Sequence, residues 1–290
     1  MKILVTGAYG QLGNELKERS NNYPAHEFLF TDVESLDITS KIAVQEYFRK
    51  NNPEFVINCA AYTAVDKAET DAENARLINA VAPGFLAKAA KDTGAGLIHI
   101  STDYVFSGDS FLPYTENNPV KPLGVYGQTK LEGEERTQQE NHNTVIIRTS
   151  WLYSSFGNNF VKTMLRLGQE RAKLKVVYDQ TGTPTYAGDL ANAILQIAEN
   201  YKKQSAKYVP GIYHYSNEGV ASWYDFALAV FELAGVNCKV LPVLSEEFPT
   251  AAKRPHYSVL NKSKIKATFN LEIPYWKDSL KICINQLQKK

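Results

Sequence analysis

Tyr126 and Lys130 stand four residues apart in the stretch YGQTK. On a helix, positions i and i+4 share one face. An ammonium beside a phenol favours the phenolate and pulls the tyrosine pKa down from about 10. Such a pair can give and take a proton near neutral pH. The same spacing also occurs on ordinary surface helices, so the surrounding elements have to decide between the two readings.

The first apolar run leads straight into GAYGQLG, with Gly7, Gly10 and Gly13. Strand, tight turn and helix in that order form a seat for a dinucleotide pyrophosphate, which rests among the free N–H groups of the helix N-terminus. Gly7 permits the turn, Gly10 lets backbone approach phosphate, and Gly13 lets the helix pack close to the strand. Gln11 and Leu12 complete the loop. Asp32 follows about 20 residues after the loop, where an acid holds the ribose 2′-hydroxyl of NAD and repels the 2′-phosphate of NADP. The alternative is a plain turn aspartate. In LDIT, Asp37 and Ile38 either lie near the adenine or, through the aspartate, cap the next helix.

The runs Ile3–Thr6, Phe28–Asp32, Phe55–Ala60, Leu97–Thr102 and Val145–Ser150 are continuously apolar, as parallel strands covered on both faces are. Helical patterns at 11–20, 40–50, 71–90 and 124–140 alternate with them, and Pro83 breaks or kinks the third. This rhythm predicts α/β architecture, a Rossmann doubly wound parallel sheet. Beyond Ser150 prolines punctuate shorter elements. A strand at Gly211–Ser216 and an apolar helix closed by Gly235 remain recognisable. A smaller mixed C-terminal substrate domain is expected, with 1–150 and about 178–218 in the dinucleotide-binding domain and about 151–177 and 219–290 in the smaller one.

The 290 residues are 44% hydrophobic and 22% charged, with a net charge of +1. That is ordinary globular composition, without the electrostatic footprint of a nucleic-acid or anionic-membrane partner. No run reaches the apolar length of a membrane span. Cys59, Cys238 and Cys283 are far apart and odd in number, which fits a reduced, cytoplasmic setting. The five histidines have no metal-like spacing, and His99, inside a strand, reads as a packed residue.

Longer motifs sharpen the picture. NCAAYTAVDKAE, STDYVFSG, VYGQTKLEGE, RTSWLY, NNFVKTML, DQTGTPT and RPHYSVL occur in order along nearly the whole chain. Together they resemble the dTDP-4-dehydrorhamnose reductase family of the extended short-chain dehydrogenase/reductase superfamily. The resemblance implies reduction of the 4-keto group of dTDP-4-dehydro-L-rhamnose by NADPH or NADH. That would be the last step towards dTDP-L-rhamnose for surface polysaccharide. It puts the catalytic threonine at Thr102, the tyrosine at Tyr126 and the lysine at Lys130. The cofactor-contacting segment falls on Ala60, Ala61 and Tyr62, with Cys59 where alanine is usual. Some members of the family carry Mg²⁺ between subunits on glutamates. Glu15 is retained, but Gly188 stands where a second glutamate is expected, so no metal is expected.

On this reading Tyr126 gives a proton to the ketone oxygen, Lys130 lowers its pKa and holds the nicotinamide ribose, and Thr102 orients the oxygen. Arg254 suits the substrate pyrophosphate, because its planar fork matches phosphate. Trp151 either lines the sugar pocket or packs in the core. Asp103, Asn159 and Gln180 are further substrate-binding candidates. A homodimer is the expected assembly. Two other classes compete: an epimerase or dehydratase of the same superfamily, which needs an added acid/base or a retained NAD, and a non-catalytic regulatory relative, which would be expected to lose part of the triad.

Overall fold

The first five apolar runs form β1 (Lys2–Thr6), β2 (Glu27–Thr31), β3 (Phe55–Asn58), β4 (Gly96–Thr102) and β5 (Thr144–Thr149) in a computed structural model that describes residues 1–203 and 208–289. A sixth strand, Gly211–Tyr215, joins them. All neighbours are parallel, in the order sixth strand, β5, β4, β3, β1, β2. The strand order reverses between β1 and β3. In open α/β sheets a ligand crevice opens outside the carboxyl ends of the strands at that point. The register Thr6↔Asn58 and Thr102↔Thr149 brings polar strand ends to this one edge.

Both sheet faces are covered, which is why the strands carry no alternation. On one side the helix α1 (Gln11–Ser20) and the helix Ala187–Lys202 pack on Ile3, Val5, Ile57 and Ile147. On the other, α2 (Lys41–Asn51) and the helix Ala82–Thr93 pack on Leu4, Val56 and Leu97. Ser40 precedes α2 as its cap, accepting from Ala43 N–H at 3.2 Å. β3 stops at Asn58 because its side chain turns the chain, accepting from Ala60 N–H at 3.2 Å.

The predicted single helix at 71–90 is three pieces: Ala72–Arg76, a π-helical turn Leu77–Val81, and Ala82–Thr93. Pro83 sits in the first turn of the last piece and brings no N–H to donate back to the preceding turn, so the backbone widens there.

A second apolar cluster lies off the sheet. Val161 and Met164 of the helix Phe160–Glu170 meet Phe226 and Val230 of the helix Trp223–Ala234, and Leu280 and Ile284 of the helix Trp276–Gln288. The strands Lys173–Val177 and Lys239–Val243 pair in parallel beside it. Trp223–Ala234 starts with a capping box, Ser222 and Asp225, and ends on Gly235 at φ +66°. Among the described residues no helix is long and apolar enough to cross a membrane.

Candidate active site

Gly7 takes a left-handed conformation, φ +65°, at the end of β1. A Cβ on it would lie 2.7 Å from Ala60 N, and one on Gly13 would lie 2.4 Å from the Gly7 carbonyl oxygen. Only glycine fits at either place, so β1, α1 and the 59–61 segment close up around a bare backbone cradle. Gly10 begins α1 with no side-chain cap, which leaves the first N–H groups free for an anion. The residues present therefore fit a dinucleotide.

Asp32 is fixed at the mouth of this turn. Its carboxylate accepts from Tyr9 N–H at 3.0 Å and from Val33 N–H at 2.9 Å. Asp37 accepts from the Thr39 N–H at 2.9 Å and the Thr39 hydroxyl at 2.6 Å, so it shapes the turn before α2 while Ser40 caps the helix. Asp37 and Ile38 stay on the cleft wall, as do Gln11, Leu12, Ala60 and Ala61. Tyr62, the fourth residue of CAAY, does not line the cleft: its hydroxyl donates to Asp71 at 2.9 Å and its N–H to Asn79 at 2.8 Å.

The cleft is about 830 Å³ and runs from the glycine turn across the ends of β3 and β4. Thr102 ends β4 on its wall. Tyr126 and Lys130 face the cleft from the helix Val125–Glu140, in its first and second turns. That helix has no cap of its own at Gly124. Glu69 supplies one from a distance, accepting from Val125 N–H at 2.9 Å. Asn79, in the π turn, is a second distant support: its amide donates to the Tyr62 carbonyl at 3.1 Å and to the Thr129 hydroxyl at 3.2 Å. It ties the segment after β3 to the helix that carries Tyr126 and Lys130. Neither residue carries a sequence signal beyond its place inside a motif or a helical pattern.

Lys130 is buried, and its Nζ donates to the Ile100 carbonyl at 2.6 Å. Burial pulls its pKa down to about 8, against the opposing pull of Glu134 and Cys59. Burial pushes Tyr126 up to about 12; hydrogen bonding with Thr102 lowers it, and Asp103 raises it further. The expected depression of Tyr126 by Lys130 is not seen: burial, Thr102 and Asp103 set the tyrosine, and desolvation disfavours the phenolate and the ammonium alike. Thr102 donates to Asp103 at 3.0 Å and accepts from Tyr104 N–H at 3.2 Å. Asp103 is buried, which raises its carboxyl to about 6 despite hydrogen bonds from Ser258 and Thr102.

Beneath the cleft Glu134 receives both Arg148 and Ser101, with Arg148 Nη2 at 2.6 Å. His99 is buried beside Lys130, and its Nδ1 is 3.0 Å from the Asn58 amide nitrogen. Burial first and then Lys130 hold it well below the usual histidine range, so it stays neutral.

The substrate candidates divide. Asp103, Trp151 and Asn159 line the cleft with Thr102. Asn159 caps the helix Phe160–Glu170, accepting from Lys162 N–H at 3.1 Å, and donates to Gln11 at 2.9 Å. Trp151 has φ +46°, a conformation that costs an L-residue roughly 1–2 kcal/mol and has to be held by packing. Gln180 lies off the cleft and donates to Ser245 at 2.9 Å. Arg254 lies just outside the wall and pairs with Asp66 at 2.7 Å, while its buried Nη1 has no partner among the described residues.

Glu15 is buried between Arg19 at 2.5 Å and the Ser154 hydroxyl at 2.5 Å. The Arg19 guanidinium fills the space next to residue 188, where a Cβ would meet it at 2.2 Å. The cation beside Glu15 is thus an arginine of the same chain. Among the described residues no three His, Cys, Asp or Glu side chains group as a metal-ligand set.

A glycine cradle at the switch point and a threonine, tyrosine and lysine converging on one cleft define a dinucleotide-dependent reductase of the short-chain dehydrogenase/reductase type. Sequence comparison narrows this. The family model of the RmlD substrate binding domain matches residues 1–289. The dTDP-4-dehydrorhamnose reductase of Aggregatibacter actinomycetemcomitans is 42% identical, over 97% of both chains. The solved structure of a dTDP-4-dehydrorhamnose reductase from Clostridium acetobutylicum is 47% identical, with a TM-score of 0.94, covering 99% of this chain and 100% of that one. That from Bacillus anthracis, in complex with NADP, is 40% identical with a TM-score of 0.93, over 98% and 99%. The chain belongs to this family of dTDP-4-dehydrorhamnose reductases.

Proposed function

We propose that this chain uses NADPH or NADH to reduce the C4 ketone of dTDP-4-dehydro-L-rhamnose to the alcohol of dTDP-L-rhamnose, a glycosyl donor for surface polysaccharide. The observation that carries the chemistry is the convergence of Thr102, Tyr126 and Lys130 on the cleft that begins at the glycine cradle. The bound nicotinamide supplies the hydride. Gly7, Gly10 and Gly13 seat its pyrophosphate, Asp32 and Asp37 border the adenosine end, and Lys130 meets the nicotinamide ribose.

Tyr126 holds its proton firmly at neutral pH, since burial sets it near 12. It therefore enters the reaction as an acid and gives that proton to the carbonyl oxygen as negative charge develops there. Thr102 orients the same oxygen. The Lys130 ammonium then stabilises the phenolate left behind. Trp151 walls the sugar, Asp103 and Asn159 serve its hydroxyls, and Arg254, with a spare donor at Nη1, serves the diphosphate, while Gln180, turned to Ser245, is left out of the site. The cluster formed by the helices at 160–170, 223–234 and 276–288 supports a substrate domain, about 151–177 and 219–290, beside a dinucleotide-binding domain, 1–150 with about 178–218, although Ile265, Phe269 and Leu271 pack with the sheet cluster and Tyr186 with the other. Of these, 204–207 and 290 lie outside the described residues. The same reading includes a cytoplasmic setting and a homodimer, which light scattering tests.

The decisive experiment follows NADPH and NADH oxidation with dTDP-4-dehydrorhamnose and with a UDP-linked 4-keto sugar. The dTDP sugar is consumed in step with the cofactor, and Tyr126→Phe lowers turnover about 10²-fold or more while cofactor affinity changes only a few-fold. Near-normal turnover in that variant removes Tyr126 from its role. Conversion of the sugar without net cofactor oxidation moves the chain to the epimerase or dehydratase class.

A further inference from the structure

Trp151 reaches the cleft wall from a left-handed backbone, φ +46°, which a bulky side chain avoids unless something holds it. Two things do. On one face the Trp223 indole stacks on it, with ring centroids 3.6 Å apart and planes within 7°. Gly182 also abuts the indole: a Cβ there would lie 2.7 Å from Trp151 Cε2. The Trp151 carbonyl also accepts from Thr185 N–H at 3.1 Å.

The holders are themselves fixed. Gly182 and Ala221 are partners in a short antiparallel ribbon, so Gly182 and the start of the Trp223 helix share one backbone frame. Trp223 is the first helical residue after that ribbon. Its helix start is locked by the capping box, in which Asp225 N–H donates to Ser222 at 3.0 Å and Ser222 N–H donates to Asp225 at 2.9 Å. Phe160 also packs on Trp223, ring centroids 4.7 Å apart.

We infer that Trp223 is a positioning residue for the reaction: with Gly182 it clamps the Trp151 indole in its strained conformation and so preforms the wall against which the sugar ring is held. This rests on the reading of Trp151 as part of the sugar site. A wall already ordered before binding spares the sugar the entropy of fixing it. The clamp acts on substrate affinity and leaves the proton donor untouched.

The test measures steady-state constants for the dTDP 4-keto sugar, NADPH affinity and circular dichroism. Two indoles this close perturb each other's near-ultraviolet bands, so Trp151→Phe and Trp223→Leu both change that spectrum. Trp223→Leu raises KM about tenfold with kcat within about twofold and NADPH affinity unchanged. Trp223→Phe, which keeps a ring in the slot, brings KM back to within about threefold of wild type. A merely structural tryptophan would lower Tm and leave KM alone. A folded Trp223→Leu with normal KM beside a Trp151→Ala whose KM has risen overturns the clamp. A Trp151→Ala with normal KM instead removes Trp151 from the sugar site.

Discussion

Lys130 spends its hydrogen bond on the sheet: its Nζ donates to the Ile100 carbonyl, 2.6 Å away and two residues before Thr102. The lysine is thereby aimed along the strand that carries the threonine, at the price of being buried as a cation. Burial lowers its pKa to about 8, and Glu134, one turn further along the helix, only partly opposes this.

A stability signature follows. In the unfolded chain the lysine keeps its proton to about pH 10.4. Below about pH 8 both states are charged and the burial penalty is fully present. Between about 8 and 10.4 the folded state binds fewer protons, so stability rises with pH. In Lys130→Met this contribution is absent. The gap between wild type and variant, measured by urea unfolding, should move in favour of the wild type by roughly 2 kcal/mol between about pH 7 and 9.5. The raised tyrosines titrate in both chains and cancel. A gap that stays constant across this window shows that Lys130 is not desolvated.

Arg254 makes a separable prediction, because its two nitrogens do different things. Nη2 pairs with Asp66, whose side chain is about half exposed, and such pairs contribute about 0–1 kcal/mol. Nη1 is buried and unpartnered among the described residues. Arg254→Met should therefore leave thermal stability nearly unchanged and weaken dTDP-sugar binding by about 1.5–3 kcal/mol, the scale of a charge-assisted hydrogen bond. NADPH binding should stay as it was. Calorimetric titration of both ligands decides, and equal losses for the two would place Arg254 away from the diphosphate.

What could be read along the chain is what depends on local period and on small residues. Continuous apolar runs gave the covered parallel strands, Gly7 and Gly13 marked places where another backbone comes within van der Waals distance, and one helical turn between Tyr126 and Lys130 set them on one face. What could not be read depends on the path of the chain in space. Glu69 caps the Tyr126 helix from another segment, and Asn79 bridges Tyr62 and Thr129 only because the helix widens before Pro83. Tyr62 and Gln180 lie in matching motifs, yet their side chains turn to Asp71 and Ser245. The Trp151–Trp223 stack and the Arg254–Asp66 pair join residues far apart in sequence, where no periodicity reaches.

The cofactor's phosphate is the remaining discriminating feature. Asp32 is held by the N–H groups of Tyr9 and Val33, so its carboxylate cannot swing freely away from the glycine turn. Lys130, far from Asp32 on the helix Val125–Glu140, is the one lysine or arginine among the described residues that line the cleft. Nothing cationic there offsets the charge of a 2′-phosphate, which argues for NADH. The Bacillus anthracis relative, 40% identical, was solved with NADP, so that protein accommodates the phosphate. The two amide hydrogen bonds also spread the charge of Asp32 and soften the repulsion. The expected balance is use of both cofactors, with a preference no larger than about tenfold, or about 1.4 kcal/mol. Asp32→Ala removes the charge and should move the ratio of kcat/KM values towards NADPH. The variant loses two hydrogen bonds to the turn, so both values fall somewhat, and only the ratio is diagnostic. A ratio unchanged by the substitution would mean that Asp32 holds the turn but does not face the ribose.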